Sequence, residues 1–176
     1  MTALNIDDYI CKVPDFPTKG ILFYDITGIL TTPKAFCFCI DRMIEIYGDK
    51  KFGAVAAIEA RGFVFASPFA YRMGIPLILV RKKGKLPRKT SHKSFELEYG
   101  SAEIEINPDD IKKDSRILIV DDLIATGGTL QAACELLTEA GAITPEIFGV
   151  VGLPFLGYGK KLGDTKVTTL IDYNTE

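Results

Sequence analysis

The sequence predicts an α/β fold, a parallel central sheet flanked by helices. The apolar runs Ala54 to Ile58, Leu77 to Val80, Ile117 to Val120 and Ile147 to Val151 are continuous rather than alternating, as expected of strands buried on both faces. Helical stretches stand between such runs, which is the rhythm of βαβ units. The 176 residues are 47% hydrophobic and 25% charged, which fits one globular domain and excludes disordered, collagen-like and coiled-coil chains.

In chain order, the first strand (Ala54 to Ile58) stops at Glu59-Ala60-Arg61-Gly62. Phe63 to Met73 then reads as a helix closed by Gly74 and Pro76, with Pro68 weakening it or placing a kink inside it. After Leu77 to Val80, seven basic residues fall within the thirteen positions from Arg81 to Lys93. This stretch is too polar and irregular for the core, and a structureless loop of this length is usually functional. Ser101 to Ile106 alternates, with Ala102, Ile104 and Ile106 on one face and Glu103 and Glu105 on the other. It reads as a half-exposed strand in an antiparallel excursion. Ile117 to Val120 is the clearest strand and is stopped by Asp121-Asp122. Thr129 to Ala140 is a helix, with Leu130, Ala133, Leu136, Leu137 and Ala140 at helical spacing and Gly141 ending it. Ile147 to Val151 is the next strand.

The net charge of −2 and pI of about 5.5 argue against a nucleic-acid binder, and no aromatic residue interleaves Arg81 to Lys93 to stack bases. No apolar stretch approaches the roughly 18 residues that span a bilayer. Met1 to Val13 lacks the basic leader and apolar run of a signal peptide. Cys11, Cys37, Cys39 and Cys134, with His92 as the lone histidine, do not have zinc-site spacing. Scattered free thiols fit a reducing, cytoplasmic setting. His92 reads as an exposed loop histidine rather than a base.

In an open parallel sheet, ligands bind beyond the carboxyl ends of the strands. The strand Ile117 to Val120 delivers Asp121 and Asp122 to that edge, and Leu123-Ile124-Ala125-Thr126-Gly127-Gly128-Thr129 then enters a helix. Small residues, hydroxyls and glycines at a helix N-terminus make an anion cradle of converging N–H groups. Two carboxylates beside a phosphate would repel it unless they face a divalent metal or sugar hydroxyls. The combination therefore points to a phosphorylated sugar. No GxxxxGK[ST] occurs, and Gly157-x-Gly159 does not complete a dinucleotide fingerprint.

The segment VDDLIATGGTL, Val120 to Leu130, resembles the phosphoribosyl pyrophosphate (PRPP) motif of type I phosphoribosyltransferases. With PDFPTKGILFYDIT (Pro14 to Thr27), IEARGFVF (Ile58 to Phe65), VRKKGKLP (Val80 to Pro87) and ELEYG (Glu96 to Gly100), nearly the whole chain is similar to adenine phosphoribosyltransferases. The likeness is weakest at the C-terminus and between Lys34 and Lys51. It implies a single domain over 1–176, with a small N-terminal hood at about 1–30 and a mobile lid at about 81–100. The implied reaction transfers ribose 5-phosphate from PRPP to N9 of adenine, giving AMP and pyrophosphate in purine salvage.

By the same resemblance Ala125, Thr126, Gly127, Gly128 and Thr129 hold the 5-phosphate, while Asp121 and Asp122 face the ribose hydroxyls and organise Mg²⁺ directly or through water and PRPP. Glu59, Ala60, Arg61 and Gly62 form the pyrophosphate loop, which in this family often contains a non-proline cis peptide. Arg61 is a catalytic candidate with Glu98 and Tyr99, reaching pyrophosphate or a lid residue. Arg81, Lys82 and Lys85 lie where pyrophosphate would sit, with Arg81 and Lys85 the binding candidates. Glu98 stands near purine N7, Tyr99 seals the site, and Leu22, Phe23 and Tyr24 form the base-binding stretch. The resemblance also implies a homodimer, compatible with exposed apolar residues at Phe36, Phe38 or Phe63 to Phe69, and no nucleic-acid or membrane partner.

The chain departs from the pattern at Tyr24, where many members carry Arg, at Arg88-Lys89, at Gly152 and at Tyr158-Gly159. Tyr24 leaves open another 6-substituted purine as substrate. A non-catalytic PRPP-sensing regulator is the reading from another class.

Overall fold

The computed structural model describes residues 4–96 and 101–175. A 3-10 turn, Ile6–Tyr9, precedes a hairpin of β1 (Cys11–Val13) and β2 (Phe23–Asp25). Helices α1 (Thr27–Thr31) and α2 (Pro33–Tyr47) lead to β3 (Ala54–Ile58), α3 (Gly62–Met73) and β4 (Leu77–Lys82). Then come β5 (Ser91–Glu96), β6 (Ser101–Ile106), β7 (Arg116–Ile124), α4 (Gly128–Glu139), β8 (Ile143–Gly152), α5 (Tyr158–Leu162) and β9 (Lys166–Asp172). Seven strands form one sheet in the order β5-β6-β4-β3-β7-β8-β9. The strands from β4 to β9 in that order are parallel, and β6 and β5 add antiparallel at one end.

The sheet is therefore mixed, with the expected antiparallel excursion made by two strands. Ser91–Glu96, read from sequence as part of an irregular loop, pairs along its whole length with β6. Its half-buried positions are Ser91, Lys93 and Phe95, so the period of two is present but mostly carried by polar residues. Lys93 reaches Glu135 and Glu139 of α4 at 2.7 Å, docking the strand by charge where an apolar face would usually do so.

β3, β7 and β8 bury both faces along their continuous apolar runs, whereas β4, nearer the end of the sheet, leaves Leu79 36% exposed against the expectation from its apolar run. Val55, Ala57, Leu118, Val120, Phe148 and Val150 pack with Cys39, Met43 and Tyr47 of α2 and Phe65 and Phe69 of α3. Alternate residues Ala54, Ala56, Ile58, Ile117, Ile119 and Ile147 pack with Leu130, Ala133, Leu136 and Leu137 of α4. Helix α2 carries a buried stripe of Ala35, Cys39, Ile40, Met43 and Tyr47, an i, i+4 signal in the segment where the family likeness is weakest.

Two expectations are corrected, and the helix expected over Phe63 to Met73 is present despite Pro68. β7 continues past Asp121 and Asp122 to Ile124, because β8 offers a ladder partner that far, Ile124 opposite Gly152. Pro68 does not end α3. The carbonyl it deprives of a donor belongs to Val64, which is 39% exposed and open to water. Glu105 is only 3% exposed, since β6 lies between β5 and β4 rather than at the edge.

The hood hairpin is fastened to the chain's last strand. Tyr24 is buried and stacks on Tyr173 with ring centroids 4.3 Å apart. The Tyr173 hydroxyl donates to the Asp7 carboxylate, and Lys12 lies 3.2 Å from that carboxylate and 4.7 Å from the Tyr173 ring centre. The Tyr173 hydroxyl bond holds the Asp7 carboxyl below its ordinary value, with burial opposing and Lys12 assisting. A carboxyl lowered in the folded state gives stability that is complete above its unfolded pKa and fades as pH falls through the folded one. The Tm gap between wild type and Tyr173→Phe should thus be full at neutral pH and close below the ordinary aspartate range. Calorimetry across pH reads it, and a gap constant into acid would remove the Asp7 carboxylate from the anchor.

Candidate functional site

Three cavities open side by side at the carboxyl edge of the parallel strands. The central cleft, about 340 Å³, lies among the ends of β3, β4, β6 and β7 and is walled by Glu59, Ala60, Arg61, Lys82, Asp121 and Asp122 among others. A small cavity of about 90 Å³ follows the loop from Leu123 to Leu130. The third, about 450 Å³, lies against the hood and is lined by Val13, Phe16, Phe23, Tyr24, Asp25, Ile26, Thr27 and Arg61.

Strand β7 carries the acid pair into the cleft. Asp122 is 4% exposed, and its Oδ2 accepts from Arg61 Nε at 2.5 Å. Asp121 Oδ1 accepts from the Asp122 N–H at 2.9 Å. Burial, then repulsion from Asp122, pushes the Asp121 carboxyl well above its usual range. Burial pulls the Arg61 guanidinium down, but Asp122, with Asp121 and Asp25 behind it, outweighs that and raises it. Arg61 is therefore the fixed countercharge of the pair. A side chain at Gly62 would place its Cβ 2.7 Å from the Val120 carbonyl oxygen, so only glycine lets the 59–62 loop lie against the acid-bearing strand. The Glu59-Ala60 peptide in that loop is cis.

Glu59 faces protein cations. It accepts from Arg81 Nε at 3.2 Å, Arg81 Nη2 at 3.1 Å and the Lys82 N–H at 2.9 Å. Burial raises its carboxyl, and Arg81 and Lys82 overcome this to hold it below the ordinary value. Arg81 Nη1 donates to the Lys85 carbonyl at 2.8 Å. Of the basic residues from the end of β4 onward, Lys82 lines the cleft, while Arg81 and Lys85 do not. Alternation explains it: Lys82 follows the parity of Ile78 and Val80, which pack on the α4 side of the sheet.

Ala125, Thr126, Gly127, Gly128 and Thr129 line the small cavity as expected. Gly127 takes φ +80°, and a Cβ there would come within 3.1 Å of Tyr158 Cβ. No side chain caps α4, so its first-turn N–H groups are available to an anion.

In the hood cavity Phe16 and Phe23 meet edge to face at 5.0 Å. Asp25 accepts from the Thr27 N–H at 2.9 Å and hydroxyl at 2.7 Å, and these two bonds lower its carboxyl. Phe23 and Tyr24 border this space, but Leu22 packs against the core. Phe16, Asp25 and Thr27 also line the space, beyond the residues to which the family likeness points. An aromatic beside Pro17 was the available signal. Arg61 borders both the hood cavity and the central cleft, joining them. Glu98 and Tyr99 lie outside the described residues. His92 is on a strand, 3.9 Å from Glu103, and lines none of these three cavities.

Among the described residues no helix is long and apolar enough to cross a membrane. The phosphoribosyl transferase domain model matches residues 26–151. An adenine phosphoribosyltransferase of Treponema denticola is 62% identical over 171 residues, covering 97% of this chain and 90% of that protein. The crystal structure of adenine phosphoribosyltransferase from Thermoanaerobacter pseudethanolicus superposes with a TM-score of 0.92 at 43% identity, covering 96% of this chain and 98% of that one. The Saccharomyces cerevisiae enzyme, solved with adenine and an imino-altritol bisphosphate, gives 0.88 at 36% identity, covering 94% and 96%.

Removing Arg61 strands a nearly buried carboxylate. Arg61→Ala should lower stability by about 1–3 kcal/mol, and adding Asp122→Asn should recover part of it. Urea unfolding of the two single variants and the double variant reads this. Strictly additive losses would show that the pair does not couple.

Proposed function

The chain belongs to the phosphoribosyl transferase domain family and, within it, to the adenine phosphoribosyltransferases, and from this we propose that it transfers ribose 5-phosphate from PRPP to N9 of adenine, releasing pyrophosphate and forming AMP. The observation that carries the reading is the row of cavities. A helix-start anion cradle, an acid-lined cleft and an aromatic pocket adjoin along one edge, with Arg61 bridging the last two. They suit the 5-phosphate, the ribose with its pyrophosphate, and the purine in turn.

In this scheme the N–H groups of Ala125 to Thr129 hold the 5-phosphate, and Asp121 and Asp122 orient the ribose hydroxyls. As the bond from C1 to pyrophosphate stretches, positive charge grows on the ribose and negative charge on the leaving group. The carboxylates stabilise the first. Lys82, the backbone of the 59–62 loop and the Arg61 nitrogens that do not bond Asp122 stabilise the second. Phe23 and Phe16 stack the base. Glu98 exchanges a proton near purine N7 and Tyr99 closes the site, two roles that rest on the family likeness of the segment Glu96 to Gly100.

Magnesium fits the donor set. Two adjacent carboxylates, one with its ionisation resisted by burial, favour a cation between protein and substrate. Among the described residues no group of three acidic, histidine or cysteine side chains could hold a metal, so PRPP oxygens and water would complete the shell around Asp121 and Asp122. Bound there, the ion would offset the charge of the departing pyrophosphate.

Unbridged Cys11, Cys37, Cys39 and Cys134 support a cytoplasmic setting. Two copies would pair through the face of α2 and α3, where Phe36, Ile40, Pro68 and Tyr71 border a surface cavity and Tyr71 is 86% exposed. Phe65 and Phe69 are fully buried in the core and take no part in that pairing. Sedimentation velocity checks the dimer.

With PRPP and Mg²⁺, adenine should yield AMP while hypoxanthine and guanine yield no nucleotide. IMP or GMP would move the base specificity, and PRPP binding without any product would favour a sensor. Asp122→Asn should lower kcat about a hundredfold, and Lys82→Ala should raise KM for PRPP while leaving that for adenine unchanged. An undiminished rate in Asp122→Asn would remove the acid pair from the mechanism.

A further inference from the structure

Glu105 is a buried carboxylate that the reaction does not use. Its Oε1 accepts from the Lys85 N–H at 2.8 Å and the Leu86 N–H at 2.7 Å. Lys85 passes its carbonyl to Arg81 Nη1 at 2.8 Å, and Arg81 turns its other nitrogens to Glu59. The register explains the arrangement. Ile58 pairs with Val80, which makes Glu59 and Arg81 the next rung, and Arg81 pairs with Glu105. Glu59, Arg81 and Glu105 thus form an acid, base, acid row across three neighbouring strands. Lys82, one residue on, takes the opposite parity and enters the cleft.

We propose that Glu105 is a positioning residue for pyrophosphate recognition, fixing the turn after β4 so that Arg81 stays on Glu59 and Lys82 stays aimed into the cleft. The proposal rests on the phosphoribosyl-transfer reading and deepens it. Without the staple at Lys85 and Leu86, the carbonyl that holds Arg81 is free to move. Glu59 then loses its countercharge at the edge of a cleft meant for a polyanion, and like-charge repulsion follows. Glu105 touches no substrate in this scheme.

The test compares wild type, Glu105→Ala, Glu105→Asp and Glu105→Gln, measuring kcat, both KM values and calorimetric binding of magnesium pyrophosphate. Glu105→Ala should raise KM for PRPP and weaken pyrophosphate binding about tenfold, with KM for adenine within about twofold. Glu105→Gln should recover most of this, because its amide oxygen can accept from the same two N–H groups. Glu105→Asp, one methylene short, should show the same split in smaller measure and decides the matter if the alanine variant does not fold. Combined with Glu59→Gln, Glu105→Ala should lose less than the product of the two single effects.

A fall in Tm and kcat with both KM values and pyrophosphate affinity unchanged would make Glu105 purely structural and overturn the proposal, as would fully multiplicative effects in the double variant. Wild type that binds pyrophosphate but makes no AMP would instead defeat the functional reading. Wild type that makes AMP, with all Glu105 variants matching it, would defeat this inference alone.

Discussion

Two adjacent carboxylates in the last rungs of a buried strand's ladder, two residues before its end, are the constraint around which the site is built. Asp121 and Asp122 arrive there because β7 sits near the middle of the sheet, with β3 on one side and β8 on the other. Negative charge in so dry a place is costly unless a cation answers it. Arg61 answers it here, and Gly62 allows the loop bearing Arg61 to lie close against β7. The loop, the helix that follows it and the cleft between them all take their place from that contact. The same countercharge lies within reach of the space the leaving group would occupy.

The basic run that starts at the end of β4 is spent mainly on the protein's own acids. Arg81 meets Glu59, Lys83 meets Glu103, Arg88 meets Asp110, and Lys93 meets Glu135 and Glu139. These pairs fasten the turn and the β5-β6 arm to the sheet and to α4. Most are exposed, so each adds little to stability, but together they set backbone direction. Lys82 stands outside those pairs and faces the cleft, a division of labour decided by strand parity rather than by charge.

The hood depends on the other end of the chain. Tyr173, just after β9, stacks on Tyr24 and bonds Asp7, so the pocket wall carrying Phe23 and Asp25 is held by residues more than a hundred positions away. This also accounts for Tyr24, which departs from the commoner arginine. Its ring is committed to packing on Tyr173, and the aromatic surface offered to a base comes from Phe23 and Phe16.

The sequence by itself determined the strands that are apolar on both faces, the helix after Gly128, and the phosphate loop with its acid pair, because these signals are local. A continuous apolar run, a Gly-Gly at a helix start and an acid pair at a strand end each have their meaning within a dozen residues. Ser91–Glu96 was not legible as a strand because its half-buried positions are mostly polar and are satisfied by ion pairs from α4. Helix α2 had a readable stripe, whereas β9, at the end of the sheet, is at most half-buried and mixes polar with apolar residues. Which basic residue faces the cleft, why Glu105 is buried and what Tyr24 does were decided only by the tertiary structure. Each depends on which strand or ring lies alongside, and that neighbour comes from a distant part of the chain.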